Sequence, residues 1–160
     1  PIEIDGQLVS SSRIRQLIAA GKIDEAGRLL TQPYRIRGMV THGAGRGAKL
    51  GFPTANLDAI DTLLPGFGVY AGCAYRNGQR WPAAINVGPN PTFSQHALKV
   101  EVHLIGFEGS LYGDPLEVDF LSRLRDIHAF AGVDALKTQL QHDIAAAQRI
   151  ADAAAPNSES

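Results

Sequence analysis

The stretch from residue 43 to residue 56 combines residue types that suit phosphate and metal chemistry. It begins as a glycine-rich loop carrying Arg46 and Lys49 and ends on Pro-Thr-Ala-Asn at 53–56. Glycines let backbone N–H groups approach an anion closely, and the two cations would add charge. Thr54 and Asn56 are two residues apart, so on an extended strand their oxygens face the same way and suit a hard cation such as Mg²⁺. The alternative is a mobile glycine hairpin with turn-stabilising polar residues, and local chemistry leaves both open.

A strand glutamate is the second candidate. Glu101 lies within 99–105, where apolar and polar residues alternate as in a half-buried strand. On an outer, solvated face it would have no special role, whereas on the face shared with Thr54 and Asn56 it could act as a general base. Periodicity does not choose between these faces. His103, two residues further on, must share the face of Glu101.

Other ionisable residues are weaker candidates. Glu117 and Asp119 belong to a later predicted strand and are expected to be solvated. Arg125 and Asp126 follow that strand, where they either close over a ligand or tie their loop to the helix that comes next, and the chemistry slightly favours the tie. The five histidines show no metal-ligand spacing of the His-Glu-x-x-His kind.

Composition limits the class of protein. At 160 residues the chain is long enough for one domain with a real core, and its net charge of −1 argues against a general nucleic-acid or membrane-surface binder. The single cysteine, Cys73, excludes an internal disulfide and a cysteine-rich zinc site, and it fits a reducing cytoplasm. No apolar run approaches the length of a transmembrane helix, and no signal peptide opens the chain. The first residue is Pro1, which indicates a fragment of something longer.

Six segments have the pattern of strands, and they are joined by turns rather than by helices. The predicted strands cover 34–40, 54–57, 69–75, 80–87, 99–105 and 116–121. Asn77-Gly78 is a strong hairpin signal between the third and the fourth. Without a repeated strand–helix–strand unit, this pattern predicts a closed antiparallel barrel, with one long helix from Val133 packed outside it. Two short helices, capped near Ser10 to Ser12 and starting at Asp24, form a hairpin before the barrel.

The motifs, taken in order, resemble those of the riboflavin kinase family, specifically the kinase module of the bacterial bifunctional riboflavin kinase/FAD synthetase. The matching blocks are Gly-Phe-Pro-Thr-Ala-Asn at 51–56, Gly-Val-Tyr-Ala-Gly at 68–72, Asn-Val-Gly-Pro-Asn-Pro-Thr-Phe at 86–93, Val-Glu-Val-His-Leu at 100–104, Leu-Tyr-Gly at 111–113 and Arg-Leu-Arg-Asp at 123–126. Residues 8–15 are also similar to the segment that closes the adenylyltransferase module of those enzymes. The body of that module has no counterpart in this sequence.

The resemblance implies a six-stranded Greek-key barrel that transfers the ATP γ-phosphate to the 5′-hydroxyl of riboflavin, giving FMN and ADP in the cytoplasm. It implies Glu101 as the catalytic base and Thr54 and Asn56 as ligands of Mg²⁺ and the ATP phosphates. The implied flap over the nucleotide contains Gly45, Arg46, Gly47, Lys49 and Gly51. The implied flavin contacts are Leu104, Phe107, Tyr112, Arg125 and Asp126.

The implied organisation has three parts. Residues 1–31 would be a helical linker that ends the adenylyltransferase module, 32–152 the kinase domain and 153–160 a polar tail. A covalently linked N-terminal adenylyltransferase module is the expected partner, with no nucleic acid or membrane. The rival hypothesis is a non-catalytic flavin- or nucleotide-binding barrel, because small antiparallel barrels also bind ligands without chemistry.

Overall fold

The computed structural model describes residues 2–4, 7–41, 51–89 and 98–156 of the chain. Two short strands and two short helices come first, followed by six longer strands and a long helix. In chain order the elements are β1 (Ile2–Ile4), β2 (Gln7–Val9), α1 (Ser11–Ala19), α2 (Ile23–Leu30), β3 (Tyr34–Thr41), β4 (Ala55–Asp58), β5 (Gly68–Arg76), β6 (Gln79–Pro89), β7 (Leu98–Leu104), β8 (Pro115–Arg125) and α3 (Val133–Ala153).

Strands β3 to β8 close into an antiparallel barrel in the order β3-β4-β7-β6-β5-β8. All six predicted strands are confirmed, and so is the barrel. Asn77 and Gly78 join β5 to β6 with positive φ values of 52° and 79°, as a tight hairpin turn requires. The small β1–β2 hairpin was not predicted, because its strands have only three residues each.

Alternation along the strands fills the barrel with apolar side chains. Ile36, Ile85 and Val102 are almost fully buried in one continuous core cluster. The rings of Tyr70 and Phe120 meet edge to face there, with centroids 5.1 Å apart. Burial of this kind is the main stabilising term in folding, so the barrel wall is a firm support for side chains on its outer face.

The α1–α2 hairpin packs onto the barrel rather than standing apart from it. Leu17, Ile18, Ile23 and Ala26 belong to the same core cluster as the barrel interior. The predicted cap is confirmed: Ser10 accepts a hydrogen bond from the backbone N–H of the third residue of α1. The hairpin contacts the beginning of β3 and the end of β8, and it therefore covers the end of the barrel opposite the turn at 77–78.

Helix α3 lies outside the barrel against β5 and β6, as predicted. Its small residues Ala147 and Ala151 are fully buried, which allows close approach to the wall. Arg80 of β6 donates a hydrogen bond to the carbonyl of Ala151 at 2.8 Å. Within the described residues, no helix has both the length and the apolar character needed to cross a membrane.

The expectation for Asp119 was wrong. Its side chain is buried and accepts two hydrogen bonds from Arg35, at 2.6 and 3.0 Å. The hydrogen bond to Asp119 raises the pKa of Arg35 above its ordinary value. Glu117 is more exposed, and a hydrogen bond from Arg37 lowers its pKa. Both acids therefore form a charged ladder on the outside of β3 and β8.

Candidate active site

Glu101 lies on the outer face of the barrel. Val100, Val102 and Leu104 of β7 are buried in the core, so the alternate residues Lys99, Glu101 and His103 point outward. The Glu101 side chain is nevertheless only 16% exposed. The sequence had posed an outer, solvated face and a face shared with Thr54 and Asn56 as alternatives. The structure gives an outer face that is shared and largely covered.

The predicted metal pair meets Glu101 across the β4–β7 ladder. Asn56 is the register partner of Glu101, and Thr54, just before β4, donates from its hydroxyl to Glu101 Oε2 at 3.2 Å. Asn56 is buried at 9% exposure, and its amide nitrogen has no hydrogen-bond partner among the described residues. A buried amide without a partner is costly, which favours a site completed by a ligand. Lys99 Nζ lies 3.6 Å from Glu101 Oε1.

The segment before β4 begins with a backbone conformation that suits glycine. Gly51 has a φ of +90°, which L side chains rarely adopt. Beyond it, the carbonyl of Pro53 is 2.6 Å from His103 Nδ1, and the ring of Phe52 meets the imidazole edge to face. The next residue, Thr54, is thereby brought over the carboxylate of Glu101.

A cavity of about 250 Å³ opens at the barrel end next to Thr54. Leu104, Phe107 and Tyr112, three of the five predicted flavin contacts, line it together with Thr54. Its other lining residues are Val40, Thr41, Pro53, Ala55, Val102, Gly109, Ser110 and Leu111. The structure therefore groups these three contacts with Thr54 of the predicted metal pair.

The other two predicted flavin contacts lie elsewhere. Arg125 is the last residue of β8, and β6 and β5 separate this strand from β7. Three strand spacings, together roughly 14 Å, therefore lie between Arg125 and Glu101 around the wall. Arg125 donates to Asp143 of α3, with the shortest contact at 2.7 Å, and stacks over Phe130. Asp126 accepts from Arg123 at 2.5 Å, and this bond raises the pKa of the arginine. The tie between loop and helix, which the sequence slightly favoured, is thus present.

The predicted flap falls outside the described residues. Gly45, Arg46, Gly47 and Lys49 belong to the segment 42–50, for which the structure gives no account. The described chain enters that segment at Thr41 and leaves it at Gly51, and Thr41 lines the cavity beside Thr54.

Sequence reasoning missed Asn86 as a site residue. It is the register partner of Glu101 on β6, on the side opposite Asn56, and its side chain is half-buried. Asn56, Glu101 and Asn86 therefore form one row across three strands. The available signal was a single polar residue within the otherwise apolar run from Ala83 to Val87.

The residues present fit a magnesium–nucleotide group. A hydroxyl, an amide and a carboxylate offer the oxygen ligands that Mg²⁺ prefers, and an amide N–H can also donate to a phosphate oxygen. Within the described ranges, no group of three or more His, Cys, Asp or Glu side chains could hold a metal ion. A cation here would therefore depend on phosphate and water for most of its ligands, which is usual for Mg²⁺ at nucleotide sites.

Comparison with known proteins identifies a matching family and several relatives of similar sequence. The family model for flavokinase, described as riboflavin kinase, matches residues 30–151. The bifunctional riboflavin kinase/FMN adenylyltransferase of Pseudomonas fluorescens is 42% identical over 151 residues, covering 94% of this chain and 49% of that protein. Its counterpart in Listeria monocytogenes is 39% identical, covering 84% and 44%. The chain spans about half the length of these curated relatives.

Two solved structures share the fold. A Streptococcus pneumoniae structure described as a macrolide-efflux protein superposes with a TM-score of 0.86 at 39% identity, covering 92% of this chain and 49% of that one. Riboflavin kinase from Trypanosoma brucei superposes with a TM-score of 0.53 at 23% identity, covering 74% and 79%. At that identity the second likeness concerns the fold alone. Because the family model covers most of the chain and includes the barrel, nearly all of α3 and every described site residue, the chain belongs to the riboflavin kinase family.

Proposed function

We propose that this chain transfers the γ-phosphoryl group of ATP to the 5′-hydroxyl of riboflavin, producing FMN and ADP. Family membership supports the reaction class. The contact that carries the proposal is the 3.2 Å hydrogen bond from Thr54 to Glu101, because it joins the expected phosphate side to the expected base across 47 positions of sequence.

Glu101 supplies the base in this proposal. As the riboflavin hydroxyl oxygen bonds to the γ-phosphorus, the bond from that phosphorus to the β,γ-bridging oxygen breaks, and ADP leaves with the electron pair. The hydroxyl proton passes to the Glu101 carboxylate. Phosphoryl transfer needs little other covalent help from a protein, since alignment and charge neutralisation supply most of the catalysis.

Thr54 and Asn56 would hold the metal-bound phosphates. A bound Mg²⁺ would neutralise charge on the transferring phosphate oxygens. The Thr54 hydroxyl donates to Glu101 in the structure, so it is already oriented between the carboxylate and the phosphate side. Asn56, buried beside it, would offer the amide oxygen to the cation or the amide N–H to a phosphate oxygen.

The glycine-rich segment would cover the phosphates. Arg46 and Lys49 would add positive charge there, and Gly45, Gly47 and Gly51 would allow the backbone to approach and the segment to close. A closed segment would exclude water, which would otherwise hydrolyse ATP.

The predicted flavin contacts are better divided between two ligands, because the cavity adjoins the end of β3 that pairs with the start of β8, whereas Arg125 lies at the other end of β8. The cavity lined by Leu104, Phe107 and Tyr112 adjoins Thr54 and the point where the chain enters the glycine segment. This position makes the nucleotide base its better occupant, which differs from the assignment that the resemblance implied. Arg125 and Asp126 remain on the proposed flavin side, across Asn86.

For the longer protein, we propose an N-terminal FMN adenylyltransferase module that ends within residues 1–31. The support is that the curated relatives carry both activities in their names and that the chain spans about half of their length. The chain by itself is then expected to make FMN and no FAD.

The direct test is incubation of the folded chain with riboflavin, Mg²⁺ and ATP, followed by chromatographic separation of flavins. FMN and ADP in equal amounts, without FAD, are the expected products. A folded chain that forms no FMN contradicts the kinase. A flavin fluorescence titration with and without Mg²⁺-ADP then identifies the rival, a barrel that binds flavin without turnover.

A further inference from the structure

The segment from Gly51 to Thr54 is attached to β7 by two hydrogen bonds from successive residues. Thr54 donates from its hydroxyl to Glu101 Oε2 at 3.2 Å. The carbonyl of the preceding residue, Pro53, lies 2.6 Å from His103 Nδ1. Glu101 and His103 alternate on one strand face, so their positions are about 7 Å apart, which suits two neighbouring groups of a segment crossing the strand.

The chemistry of the second bond defines the protonation of the imidazole. A carbonyl oxygen can only accept, so His103 must carry its proton on Nδ1 and donate it. The ring is also held from the side, because Phe52 meets it edge to face with centroids 6.3 Å apart and planes at 75°. His103 therefore has two contacts with the segment.

The hydrogen bond between His103 and Pro53 lies just before the first residue of β4 that pairs with β7. Pairing of β4 with β7 begins at Ala55, opposite Val102, so Thr54 and the residues before it receive no support from that ladder. Gly51, at the other end of the segment, has a positive φ and no heavy atom within 4 Å of a Cβ built on it. Among the described hydrogen bonds of this segment, the one from His103 is made to the backbone, whereas the one to Glu101 is made by the side chain of Thr54.

We propose that His103 is a positioning residue, which places the Thr54 hydroxyl against Glu101 by holding the carbonyl of Pro53. The kinetic part of this inference rests on the proposed function, in which Thr54 contacts the metal-bound phosphates. His103 itself touches no reacting atom in this proposal. Its loss should therefore affect the nucleotide side of the site more than the flavin side.

Two substitutions separate positioning from general packing. His103→Leu removes the donor and keeps bulk, whereas His103→Asn keeps an N–H donor at the position of Nδ1. We expect His103→Leu to raise the Kd for Mg²⁺-ADP and the KM for ATP about tenfold, with the KM for riboflavin unchanged, because a lost hydrogen bond typically corresponds to that factor. His103→Asn should restore most of the affinity. His142→Leu, on the exposed side of α3, is the matched control and should change neither constant.

Two measurements on the unliganded chain are independent of any activity. Nitrogen-15 NMR of the wild-type imidazole should show the neutral ring of His103 protonated on Nδ1. Hydrogen exchange at the amides of Thr54 and Ala55 should be faster in His103→Leu than in the wild type and near normal in His103→Asn. These results would support the positioning role of His103 even if the chain were found to phosphorylate another acceptor.

Several outcomes would overturn the proposal. A neutral ring protonated on Nε2 would remove the hydrogen bond outright, whatever the variants do. Equal weakening of ATP and riboflavin, or an Asn variant as impaired as the Leu variant, would show a general packing role. If His103→Leu fails to fold, the wild-type NMR result and the Asn variant still decide the question.

Discussion

Glu101 obtains its polar surroundings from three different parts of the chain. Thr54 arrives from the segment before β4, Asn56 from β4 itself and Lys99 from the same strand, at 3.6 Å from Oε1. Each contacts or faces the carboxylate from another direction, so its orientation is limited before any substrate binds. A preorganised base of this kind needs little rearrangement during the reaction.

At this scale the prediction concerns the proton. Glu101→Gln keeps the size of the side chain and can still accept from Thr54, but an amide cannot take up the hydroxyl proton. We expect kcat to fall by about 10² or more, the typical share of general base catalysis, while Mg²⁺-ADP binding stays near normal. Steady-state kinetics and titration calorimetry measure the two effects. Glu25→Gln on α2 is the matched control, and an unchanged kcat in Glu101→Gln would remove the base role.

Elements determine which substrate each predicted contact can reach. The barrel wall places the mouth cavity on one side of Glu101, while the end of β8 and the start of its loop lie on the other side, beyond β6 and β5. Helix α3 holds that second side through the ion pair of Asp143 with Arg125, at 2.7 Å. The two substrates are thus expected to approach from opposite directions, so that the attacking and leaving oxygens can lie on opposite sides of the γ-phosphorus, as in-line transfer requires.

A pair of substitutions tests this division. Tyr112→Ala removes a ring at the rim of the cavity, and we expect it to raise the KM for ATP by roughly two- to tenfold, the usual value of an aromatic contact, with the KM for riboflavin unchanged. Asp126→Ala, on the β8 side, should raise the KM for riboflavin and leave the KM for ATP unchanged. Kinetics with each substrate varied in turn provide the measurement. If Tyr112→Ala instead raised the KM for riboflavin, the cavity would be assigned to the flavin and not to the nucleotide base.

The whole molecule is a barrel covered on one end and on one side. The α1–α2 hairpin contributes Leu17, Ile18 and Ile23 to the core at one end, and α3 covers the outer faces of β5 and β6. Among the described residues, the opposite end forms the cavity beside Thr54. The α1–α2 hairpin and α3 therefore leave the mouth available for substrates, although Val40, Val102 and Leu104 of its lining belong to the core cluster.

The buried Cys73 provides a test of the packing between the barrel and α3. It is fully buried in β5, and burial raises the pKa of its thiol. The native protein should resist thiol reagents at neutral pH until it unfolds. Above the ordinary cysteine pKa of about 8.5, the unfolded chain releases this proton first, so the thiol's contribution to stability declines as pH rises from there toward the native pKa. We expect the urea midpoint to fall as the pH is raised from about 8 to about 10, and to fall less in Cys73→Ala. Rapid labelling of the native protein, or an equal fall in both proteins, would contradict a buried thiol.

The sequence by itself determined the barrel, its six strands and the long outer helix, since these follow from local alternation, turn residues and helical periodicity. It also supplied Thr54, Asn56 and Glu101 as the chemical candidates, because their residue types and spacing are visible along the chain. Local patterns cannot decide which strands become neighbours. Asn86 was missed for that reason, since its place beside Glu101 is a matter of β6–β7 register.

Tertiary structure decided the rest through contacts between distant positions. It placed Glu101 on an outer face that is nonetheless covered, and it turned Asp119 from a solvated acid into a buried partner of Arg35. It also tied Arg125 to Asp143 and grouped Tyr112 with Thr54 around one cavity. Burial and pairing depend on what packs against a residue, and in a closed barrel that partner lies tens of residues away, so only the folded chain reveals it.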